Sequence, residues 1–200
     1  NLGQNFAKAF ELKFQSESGS TEYAWNTSWG VSTRMIGGLV MTHGDDNGVR
    51  TPPRLAPIEV VIVPIWKSDE ERARLLEAAY QVKQELSTWN GRGDDRIRVH
   101  VDAREGMKPG AKYYEWELQG VPLRLEIGPR DLASGACMSA RRDTRAKASL
   151  SFVGLPETIA TLLTTIQGDM LHAARERREA NSIREPISYD RFRELMEGEG

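Results

Sequence analysis

TSWGVSTRMIGGLVMTHGDD, residues 27–46, is the stretch whose reading decides the fold. It begins extended and polar-aromatic and becomes helical within a few residues. Ser32 or Thr33 can cap that helix by accepting a hydrogen bond from an orphan backbone N–H. Met35, Ile36, Leu39 and Val40 then share one face, which the spacing predicts to be buried. Arg34 stands at the strand-to-helix turn, where backbone N–H groups already favour an anion. Its planar, permanently charged guanidinium suits a phosphate or the face of a base. Gly37 and Gly38 remove side chains where a neighbouring backbone or ligand comes close. The physics of the stretch is that of a nucleotide site on the floor of a sheet.

Upstream, Leu12 and Phe14 alternate with Glu11, Lys13 and Gln15, the pattern of a half-buried strand. Ser18-Gly19-Ser20 makes a turn, and Tyr23 and Trp25 lie on the returning strand. Antiparallel strands feeding a helix differ from the doubly wound nucleotide fold, and the sequence contains neither GxGxxG nor a Walker loop. Downstream, residues 44–57 carry Asp45, Asp46, Asn47, Gly48, Pro52, Pro53 and Pro57, which is turn and linker chemistry. Asp45 and Asp46 beside His43 could suggest a metal site, but near a Gly-rich turn such residues more often bond their own backbone.

The remainder reads as alternating strands and helices. Ile58–Trp66 is a near-continuous apolar run, a strand covered on both faces. Ser68 with Glu71 forms a capping box for a helix whose Leu75, Ala79, Val82, Leu86 and Trp89 face inward, and Gly91 stops it. Ile97, Val99 and Val101 alternate on a second strand, which a right-handed crossover places parallel to the first. Pro109-Gly110 opens a short helix ended by Gly120. Leu123 and Leu125 alternate with Arg124 and Glu126 on a third strand. A hairpin follows, with Cys137, Ser139 and Arg141 on one arm and residues 148–152 on the other. Two helices, over 155–178 and 189–196, complete the chain. The second domain is therefore a mixed sheet with helices on both faces.

With 39% apolar and 28% charged residues the composition is that of an ordinary globular protein. No run is long enough for a membrane span and no signal peptide is visible, so the reading is of a cytoplasmic protein without a membrane partner. A single cysteine, Cys137, excludes an internal disulfide framework and a cysteine-rich zinc site. Residues 96–147 hold eleven Lys and Arg against seven Asp and Glu, +4 in a chain whose total is −2. A local basic field in an acidic chain suits a selective RNA contact better than nonspecific coating. His100 and His172 lack ligand-spaced partners. Asn1 is no initiator, and the chain reads as part of something longer.

Two long segments carry a more specific signal. TSWGVSTRMIGGLVMTHGDD followed by PPRLAPIEVVIVPI (52–65) resembles the third class II motif of prolyl-tRNA synthetases and the entry to their anticodon-binding domain. PGAKYYEWELQGVPLRLEIGPRDL (109–132) resembles that domain itself, in the archaeal and eukaryotic type that some bacteria also carry. The resemblance implies an α/β fold in two parts. Residues 1–50 would end a class II antiparallel (α+β) catalytic domain, and 51–57 would be a linker. Residues 58–154 would form a mixed-sheet α/β anticodon-binding domain, and 155–200 the helical start of a C-terminal extension.

The same resemblance implies proline–tRNA ligation through a prolyl-adenylate, with ATP as substrate, Mg2+ beside it, and L-proline and proline tRNA as partners. Arg34 would be the catalytic arginine that contacts ATP. Ser28, Trp29 and Thr27 would wall the proline pocket. The first two class II motifs, and with them the homodimer interface, would precede Asn1, so the chain alone would not catalyse. No metal site is expected in this segment. Lys112, Glu115, Glu126 and Arg130 would contact the anticodon. Proline anticodons are rich in guanine, whose O6 and N7 suit Arg or Lys and whose N1 and N2 donors suit a carboxylate. Splayed bases also stack on aromatic faces such as Tyr113, Tyr114 or Trp116. The alternative is a non-catalytic RNA-binding accessory protein that keeps the anticodon-binding fold. Arg34 and TSWG together favour the enzyme.

Overall fold

The computed structural model describes residues 1–93 and 95–198. Glu199 and Gly200, which close the acidic C-terminal stretch, lie outside the described residues, as does Asp94. The described chain divides into two compact units, Asn1–Gly38 and Leu39–Gly200.

The first unit contains α1 (Asn5–Ala9), β1 (Lys13–Gln15), β2 (Thr21–Tyr23) and the start of α2 (Arg34–His43). β1 and β2 form the expected antiparallel hairpin, with Phe14 opposite Glu22. Its apolar side chains are largely exposed, and Ala7 is the only buried hydrophobic residue in the unit among those described. The face of α2 predicted to be buried is open too, with Met35 and Ile36 each 63% exposed. A short hairpin or an amphipathic helix buries its apolar face only against a further layer. The neighbour anticipated at Gly37 and Gly38 is also missing, since a Cβ built at either meets nothing within 4 Å.

The second unit is built on a five-stranded sheet ordered β4-β3-β5-β6-β7. Its strands are β3 (Val60–Pro64), β4 (Val99–Val101), β5 (Leu123–Ile127), β6 (Ala136–Arg141) and β7 (Lys147–Ser151). β3 pairs in parallel with β4 and β5, whereas β5, β6 and β7 are antiparallel, so the sheet is mixed. β3 is buried along its whole length, as a strand covered on both faces must be. Between β3 and β4 runs α3 (Asp69–Thr88), which buries Leu75, Ala79, Val82 and Leu86. Ser68 Oγ accepts from Glu71 N at 3.3 Å, while Glu71 answers Lys67 N at 2.9 Å, one residue further back than a standard capping box.

The helices α4 (Pro109–Leu118), α5 (Pro129–Ala133), α6 (Leu155–Ala180) and α7 (Tyr189–Glu197) complete the fold. α5 has no counterpart in the sequence reading. Its five residues are too few for helical periodicity, and Asp131 closes it by accepting from Gly128 N at 2.9 Å. α3 and α6 pack on one sheet face with Val60, Ile62, Leu123, Leu125 and Ile127. α4 covers the other, where Trp116 and Val121 meet Val61 and Val63. None of the helices among the described residues is long and apolar enough to cross a membrane.

Candidate nucleic-acid interface

The α4 face of the sheet is covered only in part. The register sets Arg124 of β5 opposite Ala140 of β6, and Ala140 opposite Lys147 of β7. Glu126, Met138 and Ser149 form the next row. α4 packs on β3, and the two arms beyond β5 leave Lys147 and Ser149 exposed. Strand alternation thus raises a row of polar groups onto a half-open sheet face.

Those groups are linked. Arg124 Nη1 lies 2.6 Å from Glu117 Oε1 of α4, and its Nε lies 3.1 Å from Glu126 Oε1. The guanidinium also stacks on the Tyr113 ring, 4.0 Å from its centroid. Lys147 Nζ reaches the same Glu126 oxygen at 3.4 Å. Burial, followed by the Glu126 carboxylate, pushes the Tyr113 phenol well above its usual range, so it remains a neutral donor. Two cations, two carboxylates and the Tyr113 phenol therefore share one patch, in which Arg124 is 7% exposed and Lys147 is exposed. An arginine can serve O6 and N7 of guanine, a carboxylate can serve N1 and N2, and a ring can stack on the base.

A second cluster lies at the C-terminal ends of β3 and β4, where α/β sheets present ligands. Buried Asp102 is its hub. Arg104 grips the carboxylate through Nε at 3.0 Å and Nη2 at 2.8 Å, and Trp116 Nε1 donates to it at 2.8 Å. Burial opposes its ionisation, yet these donors and the Lys112 charge hold the carboxyl well below the usual range. Lys112, 2% exposed, places its ammonium 3.1 Å from Asp102 O and 3.5 Å from Oδ1. Above it, Trp66, Arg104, Lys108 and Pro109 help to line a cleft of about 230 Å³.

The residues singled out from sequence fall in three places. Glu126 sits in the first cluster. Lys112 and Glu115 belong to the second, where Glu115 accepts from Arg104 Nη1 at 2.5 Å and Lys112 is an interior cation lining the cleft. Arg130 is exposed on α5, with no ion pair among the described residues. In the first unit, Thr27, Ser28 and Trp29 lie exposed between β2 and α2, with Trp29 at 92%, and Arg34 is the exposed first residue of α2. The sequence reading omitted Arg124, Glu117 and Lys147. The signal for Arg124 was present, because its alternation with Leu123 and Leu125 puts it on the face of Glu126. Lys147 needs the strand register and Glu117 the packing of α4, neither of which a local pattern supplies. Cys137 is buried, its thiol pushed up to about 11 by desolvation, which makes it a core residue and not a nucleophile.

Three parallel strands, β4, β3 and β5, extended by the antiparallel β6 and β7, frame this domain, and the acid–base patch lies on its α4 face. The family described as "Anticodon binding domain" matches residues 59–162, more than half of the chain, and the chain belongs to that family. Longer matches are to proline–tRNA ligases. The proline–tRNA ligase of Chloroflexus aurantiacus is 49% identical over 200 residues, covering 98% of this chain and 40% of that protein. The proline–tRNA ligase of Chlorobium phaeobacteroides is 49% identical over 198 residues, covering 98% and 39%. The crystal structure of prolyl-tRNA synthetase from Cryptosporidium parvum, complexed with L-proline and AMP, superposes with a TM-score of 0.79 at 37% identity. That match covers 95% of this chain and 39% of the other. The chain thus spans about two fifths of the length of the relatives it matches.

Proposed function

We propose that this chain is the part of a proline–tRNA ligase that reads the anticodon and carries the third class II motif. The observation that carries the reading is the linked patch of Arg124, Glu126, Glu117, Tyr113 and Lys147 on the α4 face of the sheet, which is open at Lys147. In the free protein these groups satisfy one another. A guanine base replaces those partners one for one, its O6 and N7 taking the cation and its N1–H and N2–H taking a carboxylate. Lys112, Glu115 and Arg130 lie on the adjoining segments, and Lys112 shapes the neighbouring cleft from within. Residues 58–154 form the anticodon-binding domain and 155–200 begin an extension. Residues 1–50, joined through 51–57, belong to the catalytic domain.

In a chain of the relatives' length, Arg34 contacts ATP, and Ser28, Trp29 and Thr27 border the proline pocket. The L-proline carboxylate displaces pyrophosphate from the α-phosphate of ATP to give the adenylate, and transfer of the prolyl group to tRNA releases AMP; Mg2+ would help to neutralise the phosphate charge. Positioning and charge stabilisation supply the acceleration, and no side chain need act as nucleophile. A cytoplasmic homodimer follows from the same reading. The test is binding of the 200-residue chain to proline tRNA and to the same tRNA with its anticodon guanines replaced. The intact anticodon is expected to bind at least tenfold more tightly, about 1–3 kcal/mol per base contact. Equal affinity for both would refute the reading.

A further inference from the structure

Two arginines from distant parts of the chain end on neighbouring carbonyls. Arg50 Nε donates to the His43 carbonyl at 2.7 Å, and Arg177 of α6 donates to the Thr42 carbonyl. These are among the carbonyls that a helix leaves without internal partners, and one N–H from each arginine satisfies them. Capping therefore accounts for one of the five donors on each guanidinium. The remaining donors have no acceptor among the described residues. Arg177 makes no ion pair among those residues, and the carboxylate beside Arg50 is Asp45, 3.9 Å from its Nε. Asp45 is itself held by Arg142, at 2.9 and 2.6 Å.

Both arginines line a cavity of about 330 Å³, walled by Thr42 and His43, by the turn after β6 and by α6. All of these walls belong to the second unit. Two carboxylates also line it, Asp143 and Asp169, and Arg141 already pairs with them at 2.6 and 2.7 Å. His172 lies on the same wall and faces Glu176 at 3.1 Å. Burial, followed by the charges of Arg50 and Arg177, holds the His43 imidazole below its usual range, so cations set the field at this wall. Two guanidinium groups anchored side by side repel one another, and an anion between them would turn that repulsion into attraction. Thr144 adds a hydroxyl, which accepts from Ala146 N at 3.3 Å and keeps its own proton to donate. Two planar forks and a hydroxyl suit the several oxygens of a phosphate. The volume leaves room for the group to which the phosphate is attached.

We propose that this cavity binds a phosphate group, with Arg50 and Arg177 as its ligands. The proposal stands apart from the anticodon reading, because neither Arg124 nor Glu126 lines the cavity. The probe is inorganic phosphate, titrated into the 200-residue chain and compared with chloride at equal ionic strength. With three histidines in the chain, NMR can follow each imidazole separately. An anion between the arginines favours protonated His43, so its midpoint is expected to rise by about one pH unit, saturably, with phosphate and not with chloride. His100, which sits beside Trp116, is expected to keep its midpoint. Arg177→Gln at an exposed position, and Arg50→Gln, should each weaken phosphate about tenfold, the scale of one charge-assisted hydrogen bond. A shift that chloride reproduces, or folded variants that bind phosphate as wild type does, would overturn the site. Proline tRNA with its anticodon guanines replaced identifies the source of the phosphate. Displacement of bound phosphate by this RNA assigns the site to the RNA backbone, and no displacement assigns it to a small phosphate ester; both results keep the site.

Discussion

Replacing Lys112 by methionine tests whether this lysine is an interior cation. The substitution keeps the length of the stem but removes the ammonium, so no cavity adds to the cost. Truncating one partner of a buried pair typically costs about 3–5 kcal/mol, because the other charge is left bare. Here Asp102 keeps three bonds from Arg104, one of them from its backbone N–H, and one from Trp116, so it is not bare. What is lost is one charge-assisted hydrogen bond, about 1.5–3 kcal/mol, and the cation held 5.2 Å from the centre of the Trp66 ring. The ammonium's own desolvation is recovered in part. The expected net loss is about 2 kcal/mol. With a slope near 2 kcal/mol/M, urea unfolding followed by circular dichroism should show the midpoint falling by about 1 M. A lysine waiting in solvent for a base would change stability by less than about 0.5 kcal/mol. An unchanged midpoint, together with lost anticodon discrimination, would refute the placement of Lys112 on Asp102.

Other outcomes follow from the same geometry. In a chain of full length, Arg34→Ala should lower proline-dependent exchange by about two to three orders of magnitude, the usual effect of losing one preorganised charge contact. Near-normal exchange by the folded variant would remove Arg34 from the site. The hydrogen bonds from Arg142 hold the Asp45 carboxyl well below its usual range. The unfolded chain therefore takes up the proton first as pH falls, and the stabilisation from the pair is full above about pH 5 and fades through pH 4 and below. The stability difference between wild type and Asp45→Asn should be flat from pH 5 to 8 and shrink in acid. A difference that persists undiminished at pH 2 would contradict the pairing.

How much was legible depends on the range of each interaction. β3 announced itself as an apolar run, and α3 as a periodic face behind Ser68, because both signals are local. The parallel pairing of β3 with β4 followed from the handedness of the crossover. Polar residues were harder to place, since their roles depend on partners distant in sequence. Lys112 read as an anticodon contact, and its burial against Asp102, ten residues back, is something no local pattern shows. Asp45 read as a turn residue and does accept from Asn47 N at 2.9 Å, but its stronger bond is to Arg142, 97 residues away. The buried face anticipated for Met35 and Ile36 failed for a related reason, because periodicity reveals a face and not what covers it.

The central claim is that the face of Arg124 and Glu126 reads guanine in the anticodon. The most direct measurement is the ratio of affinities for proline tRNA with its anticodon guanines intact and replaced, compared between wild type, Arg124→Ala and Glu126→Gln. If these side chains read the base, each variant loses about 1–3 kcal/mol toward the intact tRNA and almost nothing toward the replaced one, so the ratio collapses toward one. If Arg124 only neutralises phosphate, both RNAs weaken equally, the salt dependence becomes shallower by about one charge, and the ratio stands. A ratio preserved in both folded variants would contradict the assignment of this face to the anticodon.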